Sequence, residues 1–323
     1  MKKILSALAI LIMIQILSSC AANPKASIKS GSVNPKVLIK TELGNIVVEI
    51  YQDKAPMTAA NFLKYVDSKL YDGSVFHRTV TMDNQPSNAV KIEVIQGGQV
   101  GPEKSFPAIA LERTLVTGIN HVDGAISMAR SGPDSATSSF FICIGDQPEL
   151  DFGGKRNSDG QGFAAFGKVI AGMNVAKKIH KSPAEGQNLK PPIGILFAER
   201  IKGPDRVAVQ HILIAFKGSI PEEKVVRTSE EAQVLAVELF ERAKKGEDFD
   251  ALVKKYTDDE YPGIYRMSNF GVEPNKEKKE YSRAGMVRSF GDVSFSLPAG
   301  GVGLAVYDPQ KSKYGWHIIK RIE

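Results

Sequence analysis

The sequence is poor in sulfur: its 323 residues include two cysteines, Cys20 and Cys143. Two thiols exclude a disulfide framework and a four-cysteine zinc site. The five histidines, His77, His121, His180, His211 and His317, show no ligand spacing, so neither a metal nor a cofactor is expected. A phosphate-binding glycine loop is also lacking. The glycine-rich stretch from Gly153 to Gly162 has no strand before it and no helix after it, and reads as a plain loop. Charge comes without blocks: 42 Lys+Arg against 36 Asp+Glu give a formal +6, yet no run of five basic residues occurs, which leaves nucleic acid without a footprint. The apolar run from Ile4 to Leu17, broken only by Ser6 and Gln15, falls short of the ~20 residues a helix needs to span a bilayer core. What the chain does have is 42% hydrophobic residues, ample for packed cores, and a length that favours two domains.

Lys2 and Lys3 followed by that short apolar run have the make-up of a secretory signal. The next residues, Leu17-Ser18-Ser19-Cys20, resemble a bacterial lipobox. The resemblance implies cleavage before Cys20 and lipid on its sulfur and new amino group; an uncleaved anchor or a plain secretory signal is the alternative. Several acyl chains make a durable anchor where one binds only marginally. Residues 1–19 are thus expected to be a signal and 20–36, rich in Ser, Asn, Pro, Lys and Gly, a lipidated tether. The expected location is the cell envelope, at the periplasmic or surface face of a bacterial membrane.

Within 37–203, Val37 to Ile39 and Ile46 to Ile50 read as strands about a turn at Gly44. Ala59, Phe62, Leu63 and Val66 have helical spacing, with Pro56 near the start. Short β-like segments follow at Phe76 to Val80, Glu93 to Gln96, Ala125 to Ala129 and Ser139 to Ile144, with a second helix near Asn174 to Ile179; together they suggest a barrel closed by helices. The motifs FHR (Phe76 to Arg78), QGG (Gln96 to Gly98), SMARSGPDSATSSFFI (Ser127 to Ile142) and FGKV (Phe166 to Val169) resemble those of the cyclophilin family in order and spacing. The resemblance implies an eight-stranded closed barrel that isomerises peptide bonds preceding proline. It implies that Arg78 donates to the prolyl nitrogen, that Gln96 orients the substrate and the arginine, and that Phe76, Ala129, Phe141 and Leu150 bind substrate. There are departures. Seventeen residues separate Arg78 from Gln96 where the family has about seven. Glu93 and Val94 replace a Phe-Met pair, Glu149 a tryptophan, Ser139 a glutamine and Phe163 a histidine or tyrosine. A carboxylate is therefore expected at the pocket edge, with Met82 a candidate to fold back as a replacement wall. Cys143, inside an apolar strand pattern, reads as a core thiol.

Within 204–323, Val207 to Ile214 read as a strand. Thr228 to Glu231 form a capping box that opens a helix striped by Ala232, Leu235, Ala236, Leu239 and Phe240 and ended by Gly246. Phe249, Leu252, Val253 and Tyr256 mark another helix, and Leu304 to Tyr307 and Trp316 to Lys320 a closing pair of strands. The segments HILI (His211 to Ile214), YTDD (Tyr256 to Asp259), SRAGMVRSF (Ser282 to Phe290) and YGWHIIK (Tyr314 to Lys320) resemble the parvulins, an unrelated class of prolyl isomerase with an α+β, FKBP-like fold. That resemblance implies a hydrogen-bonded His211–His317 pair beside Asp259, a pocket holding Met286 and Phe290, and Phe270 and Tyr281 at its edge. Tyr314 falls near the second histidine.

The expected function is that of a tethered foldase with two unrelated prolyl isomerase domains, whose partners are proline-containing unfolded or nascent exported polypeptides. The alternative is a peptide-binding lipoprotein or chaperone in which one domain, the first more readily, has lost turnover.

Overall fold

The hairpin that opens the described chain turns on one hydroxyl. Thr41 Oγ1 donates to the Gly44 carbonyl at 2.8 Å and accepts from Leu43 N–H, joining β1 (Lys36–Thr41) to β2 (Gly44–Ile50). The computed structural model describes residues 34–221 and 225–323; the signal, Cys20 and most of the tether lie outside the described residues. Helix α1 (Pro56–Asp67) starts at a proline, where a missing N–H costs nothing, and buries Ala59, Phe62, Leu63 and Val66 as their spacing predicts. There follow β3 (Val75–Val80), β4 (Val94–Gly97), the single turn α2 (Thr114–Thr117), β5 (Ala125–Met128), β6 (Phe140–Cys143), β7 (Ala164–Ala171), α3 (Met173–His180), β8 (Ala184–Glu185) and β9 (Asn188–Arg200).

These strands run β1-β2-β7-β5-β6-β4-β3-β9, and β9 pairs back onto β1, so eight strands close into a barrel; β8 forms a hairpin with β9. Closure removes unpaired edges. Strand alternation sorts the side chains of β6: Phe140 and Ile142 point into the barrel core with Phe62 and Phe166, whereas Phe141 and Cys143 join a smaller cluster with Val80, Ile92, Val94 and Leu150. Cys143 is buried there, and burial pushes its thiol pKa far up, as befits a packing residue.

The chain leaves β9 and enters a second sheet across Ile201–Asp205. Gly203 has φ +86°, and a Cβ there would lie 2.2 Å from the Phe295 carbonyl oxygen, so the crossing demands glycine twice over. Around it Arg288 pairs with Glu199 at 2.9 Å and lies over the Phe197 ring, Asn269 donates to the Lys202 and Pro204 carbonyls, and Lys36 pairs with Asp205.

The second sheet holds β10 (Arg206–Ile214), β11 (Ile264–Ser268), β12 (Tyr281–Ser282), β13 (Val302–Ala305) and β14 (Trp316–Arg321), in the order β12-β11-β10-β14-β13. Helices α4 (Ser229–Lys244) and α5 (Phe249–Tyr256) pack on one face, against Ile212, Ile214, Trp316 and Ile318. Helix α6 (Arg288–Ser296) brings Phe290 and Phe295 to the other, against Val207, Val209, Met267 and Ile319. The capping box is formed: Thr228 Oγ1 accepts from Glu231 N–H while the Glu231 carboxylate accepts from Thr228 N–H. Thr228→Ala should therefore cost about 1 kcal/mol, read as a lowered urea midpoint from the fluorescence of Trp316. An unchanged midpoint would show the cap to be idle. The elements β11, β12 and α6 escape the sequence reading here, as α2, β8 and β9 do in the barrel, and the closing strand expected at Leu304 to Tyr307 lies two residues earlier, at β13.

Candidate active sites

In the barrel the site is built on β3, β4 and the loops beyond β6. Arg78 Nη1 donates to Gln96 Oε1 at 2.9 Å, and its Nε and Nη2 both donate to Gln187 Oε1. Gln96 in turn donates to Ser139 Oγ at 3.1 Å, so the serine that stands for the family's glutamine still braces it. Two glutamine oxygens occupy three of the five guanidinium N–H groups and leave two for a substrate. Burial and the neighbouring charge of Arg156 lower the Arg78 pKa, yet a guanidinium stays protonated.

Beside Arg78 lies a cavity of about 200 Å³ walled by Ala129, Phe141, Leu150, Phe163 and Val94. The Phe141 and Phe163 rings meet edge to face at 5.3 Å. Arg78, Gln96, Ala129, Phe141 and Leu150 are thus brought together. Phe76 is not: it is fully buried inside the barrel, edge-on to Phe140 at 5.8 Å, because the register shifts between Phe76 and Arg78 and the two point to opposite faces. The expected acidic edge is also corrected. Glu93 precedes β4 with the opposite alternation to Ile92 and Val94 and turns toward His180, 3.8 Å away, while the Glu149 carboxylate accepts from Lys155 N–H; neither lines the cavity. Met82 is exposed and builds no wall; Ile92, from the same inserted segment, does.

The second site sits on the α6 face of the second sheet. In the register of β10 and β14, Leu213 opposes His317 and His211 opposes Ile319, so the two histidines are diagonal neighbours on one face. Their Nδ1 atoms lie 3.3 Å apart, and His211 Nε2 is 3.0 Å from Asp259 Oδ2. Asp259 Oδ2 also accepts from the Tyr265 hydroxyl at 2.9 Å. The hydrogen bond from His211 holds the Asp259 carboxyl well below the usual carboxylate range; burial and the bond to Asp259 push the Tyr265 phenol up. Nε2 of His317 is a buried ring nitrogen with no hydrogen-bond partner among the described residues. Phe290 packs 5.1 Å from His211 and 5.4 Å from His317, the Tyr281 ring lies tilted against Tyr265 at 5.7 Å, and Met286 belongs to the same apolar cluster.

His211, His317, Asp259, Phe290, Met286 and Tyr281 are thus assembled. The Arg283 guanidinium lies over the Phe270 ring at 4.8 Å, and Asn269 ties the start of that turn to the crossing segment. Tyr314 is half exposed, with its ring beneath Lys313. Sequence reasoning missed Gln187, Arg156 and Tyr265. Tyr265 alone had a local signal, as an aromatic in the short apolar run after Pro262-Gly263.

Comparison with known proteins finds a family model for each of the two sheets. Residues 36–200 match the model for cyclophilin type peptidyl-prolyl cis-trans isomerase/CLD, and residues 196–323 that for the PPIC-type PPIASE domain. A peptidyl-prolyl cis-trans isomerase of Acinetobacter baylyi is 38% identical over 171 residues, covering 50% of this chain and 84% of that protein. Peptidyl-prolyl cis-trans isomerase A of Dickeya dadantii is 35% identical over 211 residues, 62% of this chain and 98% of the relative. Isomerase B of Escherichia coli is 34% identical over 155 residues, 47% and 87%. The chain belongs to the cyclophilin-type family of peptidyl-prolyl cis-trans isomerases, and its cyclophilin-type domain is followed by a PPIC-type, or parvulin, domain. It is a peptidyl-prolyl cis-trans isomerase.

Proposed function

We propose that both sites turn over X-Pro bonds, and that the enzyme serves exported polypeptides while held at a bacterial membrane by lipid on Cys20. Rotation about an X-Pro bond breaks amide resonance, a barrier of ~18–20 kcal/mol that no acid, base or nucleophile is needed to lower. A catalyst must instead bind the twisted state better than either planar one. In the first site a proline ring enters the cavity against Phe141, Leu150 and Phe163. The two uncommitted N–H groups of Arg78 then meet the prolyl nitrogen as it pyramidalises and its lone pair becomes an acceptor. In the second, Phe290 and Met286 take water off the ring, and the His211–His317–Asp259 network supplies an oriented polar wall where the peptide carbonyl rotates.

The observation that carries this reading is the Arg78 guanidinium, fixed by Gln96 and Gln187 beside a small cavity with donors to spare. Domain limits of 37–203 and 204–323 accord with it, as does the signal-like sequence before Cys20.

The test is proline-limited refolding of a reporter protein by residues 34–323, which form one compact unit. Arg78→Ala and His211→Ala/Asp259→Ala should each remove part of the acceleration, and their combination all of it. A combined variant as fast as the parent would overturn the two-site reading. Cys20→Ser should move the full chain from the membrane to the soluble fraction of cells; retention at the membrane would overturn the lipid anchor.

A further inference from the structure

The cavity beside Arg78 is charged in one sense only. Its lining carries three guanidiniums, Arg78, Arg130 and Arg156, and no aspartate or glutamate. Arg130 is neutralised: its two terminal nitrogens donate to Asp159 at 2.8 and 2.9 Å, and it lies over the Phe163 ring. The other two are not. Arg78 is held by glutamine oxygens, and Arg156 Nη1 donates to Gln85 Oε1 at 2.8 Å and to the Val90 carbonyl at 2.7 Å. Neither forms an ion pair with any described residue, and Nε and Nη2 of Arg156 have no hydrogen-bond partner among the described residues.

The holder of Arg156 is itself fixed. Gln85 is 1% exposed and donates to the Thr81 and Ile92 carbonyls, so the inserted segment after β3 presents a rigid acceptor to the loop between β6 and β7. Neutral acceptors set the direction of a guanidinium without cancelling its charge. Burial lowers the pKa of both arginines, and the charge of Arg156 adds to the effect on Arg78. Two half-buried cations that face one small cavity without a counter-ion are stabilised by an anion brought in from outside.

We propose that Arg156 makes the first pocket selective for acidic peptides, taking X-Pro segments that carry a side-chain carboxylate within one residue of the proline. The free Nε and Nη2 donors of Arg156 bind that carboxylate, and Arg78 keeps its two N–H groups for the prolyl nitrogen. The inference rests on the reading that a proline ring occupies this cavity.

The test uses the full chain carrying His211→Ala/Asp259→Ala, so that only the first pocket is read. Two peptide pairs, Ala-Glu-Pro-Ala with Ala-Gln-Pro-Ala and Ala-Pro-Glu-Ala with Ala-Pro-Gln-Ala, are compared by NMR exchange for isomerisation rate and by calorimetry for Kd. In at least one pair the glutamate peptide should be favoured roughly tenfold at low salt, the size of one charge-assisted hydrogen bond in a half-buried site. Arg156→Gln should bring the ratio to about one, Arg156→Lys should keep part of it, and high salt should shrink it in the parent. Each ratio is taken within one variant, so a partial folding defect cancels. A ratio near one in both pairs for the parent, or one that Arg156→Gln leaves intact, overturns the proposal. If no peptide is turned over, the catalytic reading of this pocket fails, and the Kd ratios decide the acidic preference by the same criteria.

Discussion

Arg78→Ala, made in a His211→Ala/Asp259→Ala background, should lower the remaining isomerase kcat/KM by about 100-fold, the usual loss when one preorganised transition-state donor is removed. The effect is expected in kcat more than in KM, because the planar amide nitrogen of the ground state is a poor acceptor and the donor acts only once the bond has twisted. Arg78→Lys keeps a charge but loses the fork that engages Gln187 through Nε and Nη2 and Gln96 through Nη1, so it should fall between the two. The fold should tolerate the change. Arg78 has no carboxylate partner among the described residues, and the two glutamine oxygens it leaves are only part-buried. NMR exchange on a short Ala-Pro peptide reads the rate without a coupled protease. A loss smaller than threefold would remove Arg78 from the mechanism and leave the pocket as a binding site.

Much of this site is legible in the sequence because its parts lie on regular strands with recognisable motifs. FFI at Phe140 to Ile142 places alternate residues on opposite faces, so Phe141 faces the cavity if Phe140 faces the core, and it does. The same rule misleads at Phe76, which shares a motif with Arg78 at a spacing of two and ought to share its face. A register shift between them reverses the relation, and a bulge leaves no local mark in this segment. Gln187 is hidden for another reason: it lies 109 residues from Arg78 and arrives through the β8–β9 hairpin, where Asn188 opposes Arg78. Arg156 sits in a glycine-rich loop whose path depends on Gln85 in the inserted segment, so neither residue signals the other. In the second domain the histidine pair is legible because each His heads a run of aliphatics on a central strand. Helix α6 is not, since Gly291 and three serines dilute its apolar stripe.

The second site should make its own domain acid-labile. His317 is buried, and burial, with His211 beside it, pushes its pKa down to about 3, whereas in the unfolded chain it titrates near ~6.5. Between those values the unfolded state binds one proton more than the folded one. Stability is therefore fully present above about pH 6.5 and is lost as pH falls through the window below it, by up to ~1.4 kcal/mol per pH unit for one group. Asp259 acts in the same direction at lower pH: the bond from His211 depresses its pKa, so its contribution is present above the unfolded carboxylate range and fades as acid protonates it. The sum should be on the order of 2–3 kcal/mol between pH 6.5 and 4.5, nearly all from His317. Trp316, the only tryptophan in the chain, is buried next to His317 on β14 and reports this domain directly. Urea midpoints followed by its fluorescence should fall steadily from pH 6.5 to 4.5 in the parent. In His317→Gln they should fall with a slope smaller by about one proton, whatever the absolute stability of that variant. Equal slopes would mean that the fold does not hold His317 neutral, and that the unpartnered Nε2 is met by a proton rather than kept open beside Phe290.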